Sequence, residues 1–117
     1  MLLSSYVYIP VSDLEKSAEW YAKHLGFKVT LKDSLYYELS TENGIKIMLL
    51  PASEHINSQI AFSDGDQPAY GFIVDDIDSV RNDLVGNNIK VGEMFDYNGR
   101  SFSFFDLDGN KIEIWKV

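Results

Sequence analysis

The sequence predicts an α+β chain of two βαβββ modules. Three observations carry this: a repeat, a helix start at the same place in each copy, and a turn dipeptide before each copy's last strand. Val7-Tyr8-Ile9-Pro10-Val11-Ser12-Asp13-Leu14 is matched by Tyr70-Gly71-Phe72-Ile73-Val74-Asp75-Asp76-Ile77, with Asp13 and Asp76 63 residues apart (76 − 13). Gly44-Ile45-Lys46-Ile47-Met48-Leu49 is matched by Gly109-Asn110-Lys111-Ile112-Glu113-Ile114, 65 residues on (109 − 44). Two landmarks in one order at nearly one offset indicate a duplicated unit. Two copies are too few for a solenoid, so one domain, 1–117, is expected. Its modules are 1–50 and 68–117, joined by a linker, 51–67.

Each element has a local cause. Residues 4–11 are an apolar strand. Ser12-Asp13-Leu14-Glu15 has the form of a capping box, in which Ser12 and Glu15 satisfy free backbone N–H groups. Leu14, Ala18, Tyr21, Ala22 and Leu25 then fall on one helical face, and Gly26 ends the helix. Strands are expected near 27–31, 34–40 and 45–50, with Asn43-Gly44 turning the last hairpin. In the second copy, strand 69–74 leads to a helix from Asp76 to Val85, with Ile77, Val80, Leu84 and Val85 inward. Gly86-Asn87-Asn88 breaks it, and strands follow near 89–95, 100–105 and 111–116, with Asp108-Gly109 as the final turn. The linker is rich in Ser, Asp, Asn, Gly and Pro and reads as a loop or poorly ordered segment.

Composition narrows the function. There are 117 residues, 10 Lys+Arg against 18 Asp+Glu, and a formal net charge of -8, so a nucleic-acid polyanion is repelled. No apolar run is long enough to span a bilayer, and Met1-Leu2-Leu3-Ser4-Ser5 lacks the pattern of a secretory signal, so a cytoplasmic protein without membrane partners is expected. Cysteine is absent, which removes disulfides, thiol nucleophiles and cysteine metal sites. Only two histidines, His24 and His55, remain for metal or acid-base chemistry.

Strand alternation sorts side chains into a helix side and a hollow side. Val7, Ile9 and Val11 face the helix, leaving Tyr6, Tyr8 and Pro10 for the hollow. Tyr70, Phe72 and Val74 face the second helix, while Ala69, Gly71 and Ile73 sparsely fill the opposite face. The same parity sends Lys46, Met48 and Leu50, and Lys111, Glu113 and Trp115, into the hollow. For Phe102 and Phe104 against Ser101 and Ser103, both parities stay open. A shared core is the plainer reading of any single one of these aromatics.

The repeat, with Val11-Ser12-Asp13-Leu14-Glu15-Lys16-Ser17 before Trp20-Tyr21 and His24-Leu25-Gly26-Phe27, resembles the vicinal oxygen chelate superfamily of glyoxalases, bleomycin-resistance proteins and extradiol dioxygenases. Phe105-Asp106-Leu107-Asp108-Gly109-Asn110 resembles its Phe-x-Asp-Pro-Asp-Gly-Asn signature, with Leu107 where proline is usual. The resemblance covers essentially the whole chain and implies a glyoxalase-like fold, in which the two modules form an incomplete curved-sheet barrel, but it does not choose among lyases, dioxygenases and binding proteins. It also implies four metal-ligand places, which here hold Tyr6, Met48, Ala69 and Glu113. Of these only Glu113 is a good ligand for a hard or borderline divalent ion. The chelate is therefore expected to be lost, with no metal residues and no cofactor.

The site residues expected to bind a ligand are Tyr6, Tyr8, Tyr36, Met48, Ala69, Gly71, Arg100, Phe102, Glu113 and Trp115, with Tyr37 and Lys46 also in reach. Glu113 is the sole catalytic candidate, as a buried general acid or base, or else a carboxylate paired with Lys46 or Lys111. Arg100 is either an anion clamp or a solvated strand-end residue. The resemblance implies a metal-free protein that binds a planar or hydrophobic small molecule, as drug-sequestering members do. An aromatic content of 14% with net charge -8 suits a cationic aromatic guest. The alternatives are a metal-dependent, glyoxalase-like lyase, isomerase or dioxygenase, and a ligand-free interaction subunit. A homodimer is expected by analogy, its cavity formed within one chain or across two.

Overall fold

The computed structural model describes residues 1–52 and 57–117. They divide into two compact units, Met1–Asn57 and Ser58–Val117. The first unit holds β1 (Val7–Val11), α1 (Leu14–Leu25), β2 (Lys28–Lys32), β3 (Tyr37–Ser40) and β4 (Lys46–Pro51). Its open sheet has the order β1-β4-β3-β2, with β1 and β4 parallel and the other pairs antiparallel. The second unit holds β5 (Gln59–Phe62), β6 (Gly65–Pro68), β7 (Gly71–Ile73), α2 (Ile77–Gly86), β8 (Phe95–Asp96), β9 (Arg100–Phe105) and β10 (Lys111–Lys116). Its main sheet repeats the first as β7-β10-β9-β8, with β7 and β10 parallel, so the βαβββ duplication is real.

The acidic landmarks of the repeat are helix caps. Asp13 accepts from the Lys16 N–H at 3.0 Å, and Asp76 accepts from the Ser79 N–H at 3.1 Å. Asp13, rather than Ser12, is thus the N-cap of α1, and Glu15 turns outward to Lys32 and Tyr37 at 2.7 and 2.9 Å. The reason is one of phase: α1 starts at Leu14, which places Asp13 at the half-helical position whose side chain reaches the free amides. Asp13→Ala and Asp76→Ala are each expected to cost about 1 kcal/mol, read as a shift in the urea midpoint at constant slope.

Each unit has its own buried set. In the first it comprises Ile9, Val11, Ala18, Tyr21, Phe27, Leu39, Ile47 and Leu49, with Ser17. The buried stripe of α1 includes Ser17 in place of Ala22, which is exposed. Gly26 closes the helix at φ 74°, a left-handed conformation that costs glycine little. In the second unit the buried set is Ile77, Leu84, Phe102, Phe104, Ile112 and Ile114. Val85 is exposed instead, because Ile77 and Leu84 are one stripe of the short helix and Val85 lies a further 100° round.

Two segments differ from expectation. Residues 59–68 are not a loop but the hairpin β5–β6, turned at Ser63-Asp64 and held to the rest of the second unit. The Ser58 N–H reaches Asn110 Oδ1 at 3.0 Å, Gln59 Nε2 reaches the Gly109 carbonyl at 3.0 Å, and Lys111 Nζ reaches the Asp66 carbonyl at 3.1 Å. Conversely, the strand expected at 89–95 is reduced to a bridge between Val91 and Phe104 and the two-residue β8.

Candidate functional site

The sheet face of the second unit that lies opposite α2 is built in two cross-strand rows. Pairing sets Ile73 beside Trp115, Trp115 beside Ser101, and Ser101 beside Phe95. The neighbouring row is Gly71, Glu113 and Ser103. A shallow depression of ≈ 220 Å³ lies there, lined by Gly71, Phe72, Ile73, Glu113 and Trp115. Position 71 has no side chain and can have none without movement. A Cβ at Gly71 would stand 2.6 Å from the Glu113 carbonyl oxygen and 3.0 Å from its Cβ. Trp115 is fixed by its indole N–H, which donates to the Asn98 carbonyl at 3.1 Å.

Glu113 is exposed rather than enclosed by apolar neighbours. Neither lysine expected to pair with it does so: Lys111 reaches Asp66, and Lys46 pairs with Glu38 at 3.2 Å. Among the described residues the Glu113 carboxylate has no hydrogen-bond or ion-pair partner.

Two expected ligand contacts lie on the other face. Phe102 is 1% exposed and sits beside Ile114 in the core, with Arg81 over its ring at 5.9 Å. The alternation of β9 that buries Phe102 and Phe104 also turns Arg100 toward α2. There Arg100 binds Asp78 at 2.9 Å and Asp96 at 3.6 Å, and its hydrogen bond holds the Asp78 carboxyl below the usual range. Arg100 is therefore a tie between α2, β8 and β9. Ser101 and Ser103 take the open face, with Ile73 and Phe95 beside them. Sequence reasoning missed these as site residues, although the parity of Gly71 already placed Ile73, and the clear alternation of Lys111–Lys116 fixes the parity of β9 once the two strands are paired.

In the first unit the face opposite α1 is furnished with phenols. Tyr6 and Tyr8 stand edge-to-face at 5.2 Å, on either side of Val7, and Tyr8 pairs with Met48 across β1 and β4. The Tyr8 phenol is held above its ordinary value, first by its side-chain hydrogen bond with Tyr6, then by the charges of Tyr6 and Tyr36 and by burial. Met48 in turn pairs with Glu38 on β3. The Thr30 hydroxyl, at 2.6 Å, and Lys46 hold the Glu38 carboxyl below the usual range. Tyr37 takes the other side, with its hydroxyl on Glu15. His24 lies on α1, edge-on to Trp20 at 5.1 Å, and burial lowers its basicity. His55 lies outside the described residues.

The signature run 105–110 is a scaffold rather than a binding group. Asp106 Oδ1 accepts the N–H groups of Asp108 and Asn110, both at 2.9 Å, and Oδ2 accepts Asn110 Nδ2 at 2.8 Å. Gly109 turns at φ 80°, launching β10 in the register that presents Glu113 and Trp115 together.

A family model described as the glyoxalase/bleomycin resistance protein/dioxygenase superfamily matches residues 3–114. The chain belongs to that superfamily. Solved structures of its fold cover nearly all of the chain. An integron cassette protein from the mobile metagenome of the Halifax Harbour sewage outfall is 21% identical, with 100% of both chains covered and a TM-score of 0.79. TnmS3, an antibiotic binding protein from Streptomyces sp. CB03234, is 20% identical over 99% of this chain and 96% of that one, with a TM-score of 0.74. The fosfomycin resistance protein FosX from Listeria monocytogenes is 14% identical over 100% and 94%, with a TM-score of 0.78. No curated protein matches by sequence.

The metal that the superfamily resemblance implies does not fit the residues at its four places. In the first unit these are Tyr6, a phenol hydrogen-bonded to Tyr8, and Met48, a thioether. In the second they are Ala69, which has no donor atom, and Glu113. The next residue on Ala69's face, Gly71, has no space for a ligating side chain. Among the described residues no three His, Cys, Asp or Glu side chains cluster in a way that could hold an ion. One carboxylate is too few where three protein ligands are the norm.

Proposed function

We propose that this superfamily member is a metal-free binding protein for a planar or hydrophobic small molecule. The observation that carries the reading is that apolar or aromatic residues, Tyr6, Met48 and Ala69, stand at three of the four ligand places, beside a depression lined by Gly71, Ile73 and Trp115. A rigid indole, a phenylalanine ring and an isoleucine in one row offer flat area at little entropic cost, because they have few rotors. That one structural relative is described as an antibiotic binding protein supports the same use of the scaffold. Each unit's sheet leaves two strands with an unpaired edge, which suits a homodimer as the binding form.

Metal analysis and thermal shift test the reading on one sample. Purified protein should hold no stoichiometric divalent ion, and a chelator should move its melting temperature by less than about 1 °C, since nothing that binds the folded state is removed. A panel of flat aromatic compounds should contain members that raise it. A bound transition metal, or a large fall in melting temperature with the chelator, would overturn the proposal in favour of a metal-dependent lyase, isomerase or dioxygenase. A panel without effect would leave a ligand-free interaction subunit.

A further inference from the structure

We infer that the depression on β7 and β10 takes a ligand bearing an ammonium group, with Glu113 receiving the charge and Trp115 carrying the body of the molecule. The inference rests on the binding function proposed above and names the chemistry of its ligand.

The argument begins with what Glu113 lacks. A carboxylate accepts hydrogen bonds and cannot donate them, so it seeks a cation or N–H groups. In this fold every cation close by in sequence is used elsewhere. Lys111, two residues back on the same face of β10, is drawn to the Asp66 carbonyl of the hairpin at 3.1 Å. Arg100, on the adjacent strand, faces α2 and binds Asp78 and Asp96. Lys116 falls on the alternate face of β10 from Glu113. Glu113 is thus a carboxylate at a depression with its acceptor capacity free among the described residues.

The surroundings select the form of the cation. Glu113 and Trp115 are two apart on one strand, so their side chains leave the same face about 6–7 Å from each other. That is the span from an aliphatic ammonium to the middle of an attached two-ring system. Gly71 adds no side chain beside Glu113, and Ile73 flanks the indole on one side, with Ser101 and then Phe95 following it on the other. Ser103, paired with Glu113, adds a hydroxyl that can accept a second ammonium N–H. An ammonium held here is also within reach of the negative face of the indole ring. An anion would meet Glu113 with nothing to offset the repulsion. A neutral alcohol of the same shape would gain the apolar contacts and one hydrogen bond to Glu113, without the attraction between opposite charges.

A matched set of probes tests this: 2-naphthylmethylammonium, 2-naphthylmethanol and 2-naphthoate, titrated into the whole chain at about 150 mM salt, where long-range fields are screened. Amide shifts of Gly71, Ile73, Glu113 and Trp115 report the site. The ammonium should bind at least about tenfold more tightly than the alcohol, a difference a single charge-assisted contact can supply, and the naphthoate most weakly. Glu113→Gln should bring ammonium and alcohol within about twofold of each other, chiefly by weakening the ammonium. Glu19→Gln, which removes the same charge from α1, should keep the preference. Equal binding of ammonium and alcohol by the native chain would overturn the charge assignment and leave the binding function standing. Loss of the preference in Glu19→Gln as well would also overturn it, since overall charge would then be responsible. Failure of all three probes to perturb the site would remove both readings together.

Discussion

Asp106→Ala is expected to destabilise the protein by about 3–5 kcal/mol, the largest effect of any substitution considered for this chain. The carboxylate takes three donors at once: the amides of Asp108 and Asn110 and the side-chain amide of Asn110. Asn110 is fully buried, so water cannot replace the lost acceptor without opening the turn. The damage spreads, because Asn110 Oδ1 also receives the Ser58 N–H at the root of the β5–β6 hairpin. Asp106→Asn keeps one acceptor but turns an NH₂ toward a donor, so an intermediate loss is expected. Denaturant unfolding reads the series in the order native, Asn, Ala. An Asp106→Ala protein within about 1 kcal/mol of native would refute the description of this turn as the anchor of β10.

Gly99→Ala comes second, at about 3 kcal/mol, or roughly 10 °C in melting temperature for a domain of this size. Two costs coincide there. The backbone sits at φ 110°, outside the region that alanine tolerates. An added Cβ would also fall onto the Lys116 carbonyl oxygen and stand 2.9 Å from Trp115 Nε1. The second contact ties stability to binding, since the indole must leave its bond to the Asn98 carbonyl for the methyl to fit. Affinity for flat aromatic compounds should therefore fall together with the melting temperature. Stability lost with affinity kept would show that the indole is not the platform.

The parts of the fold that were legible in the sequence are those with a local cause. Asp13 and Asp76 mark helix starts because a short acceptor side chain at that point satisfies free amides whatever surrounds it. Gly44 and Gly109 mark turns because φ values of 86° and 80° favour glycine. The parity of β10 is legible because Ile112 and Ile114 alternate with polar or large residues. The parity of β9 is not, since phenylalanine and serine alternate without saying which is inside. It is decided by the partners of Phe102 and Phe104, which are Ile114 and Ile112 across the strand pair. The β5–β6 hairpin was hidden for a related reason. Its Ser63, Asp64, Gly65 and Asp66 have loop composition, and the contacts that hold it come from Gly109, Asn110 and Lys111, more than 40 positions away. Arg100 as an ion-pair tie depends on Asp78 and Asp96, and only the fold brings the three together.

The attachment of that hairpin has a practical consequence for dissecting the protein. Ser58, Gln59 and Asp66 moor it to the C-terminal half, so a fragment beginning at Pro68, where sequence symmetry would invite the scissors, would strip Asn110 of its Ser58 partner and Lys111 of its Asp66 partner. A half-protein meant to stand alone, or to be recombined with its sibling, should instead begin at Ser58.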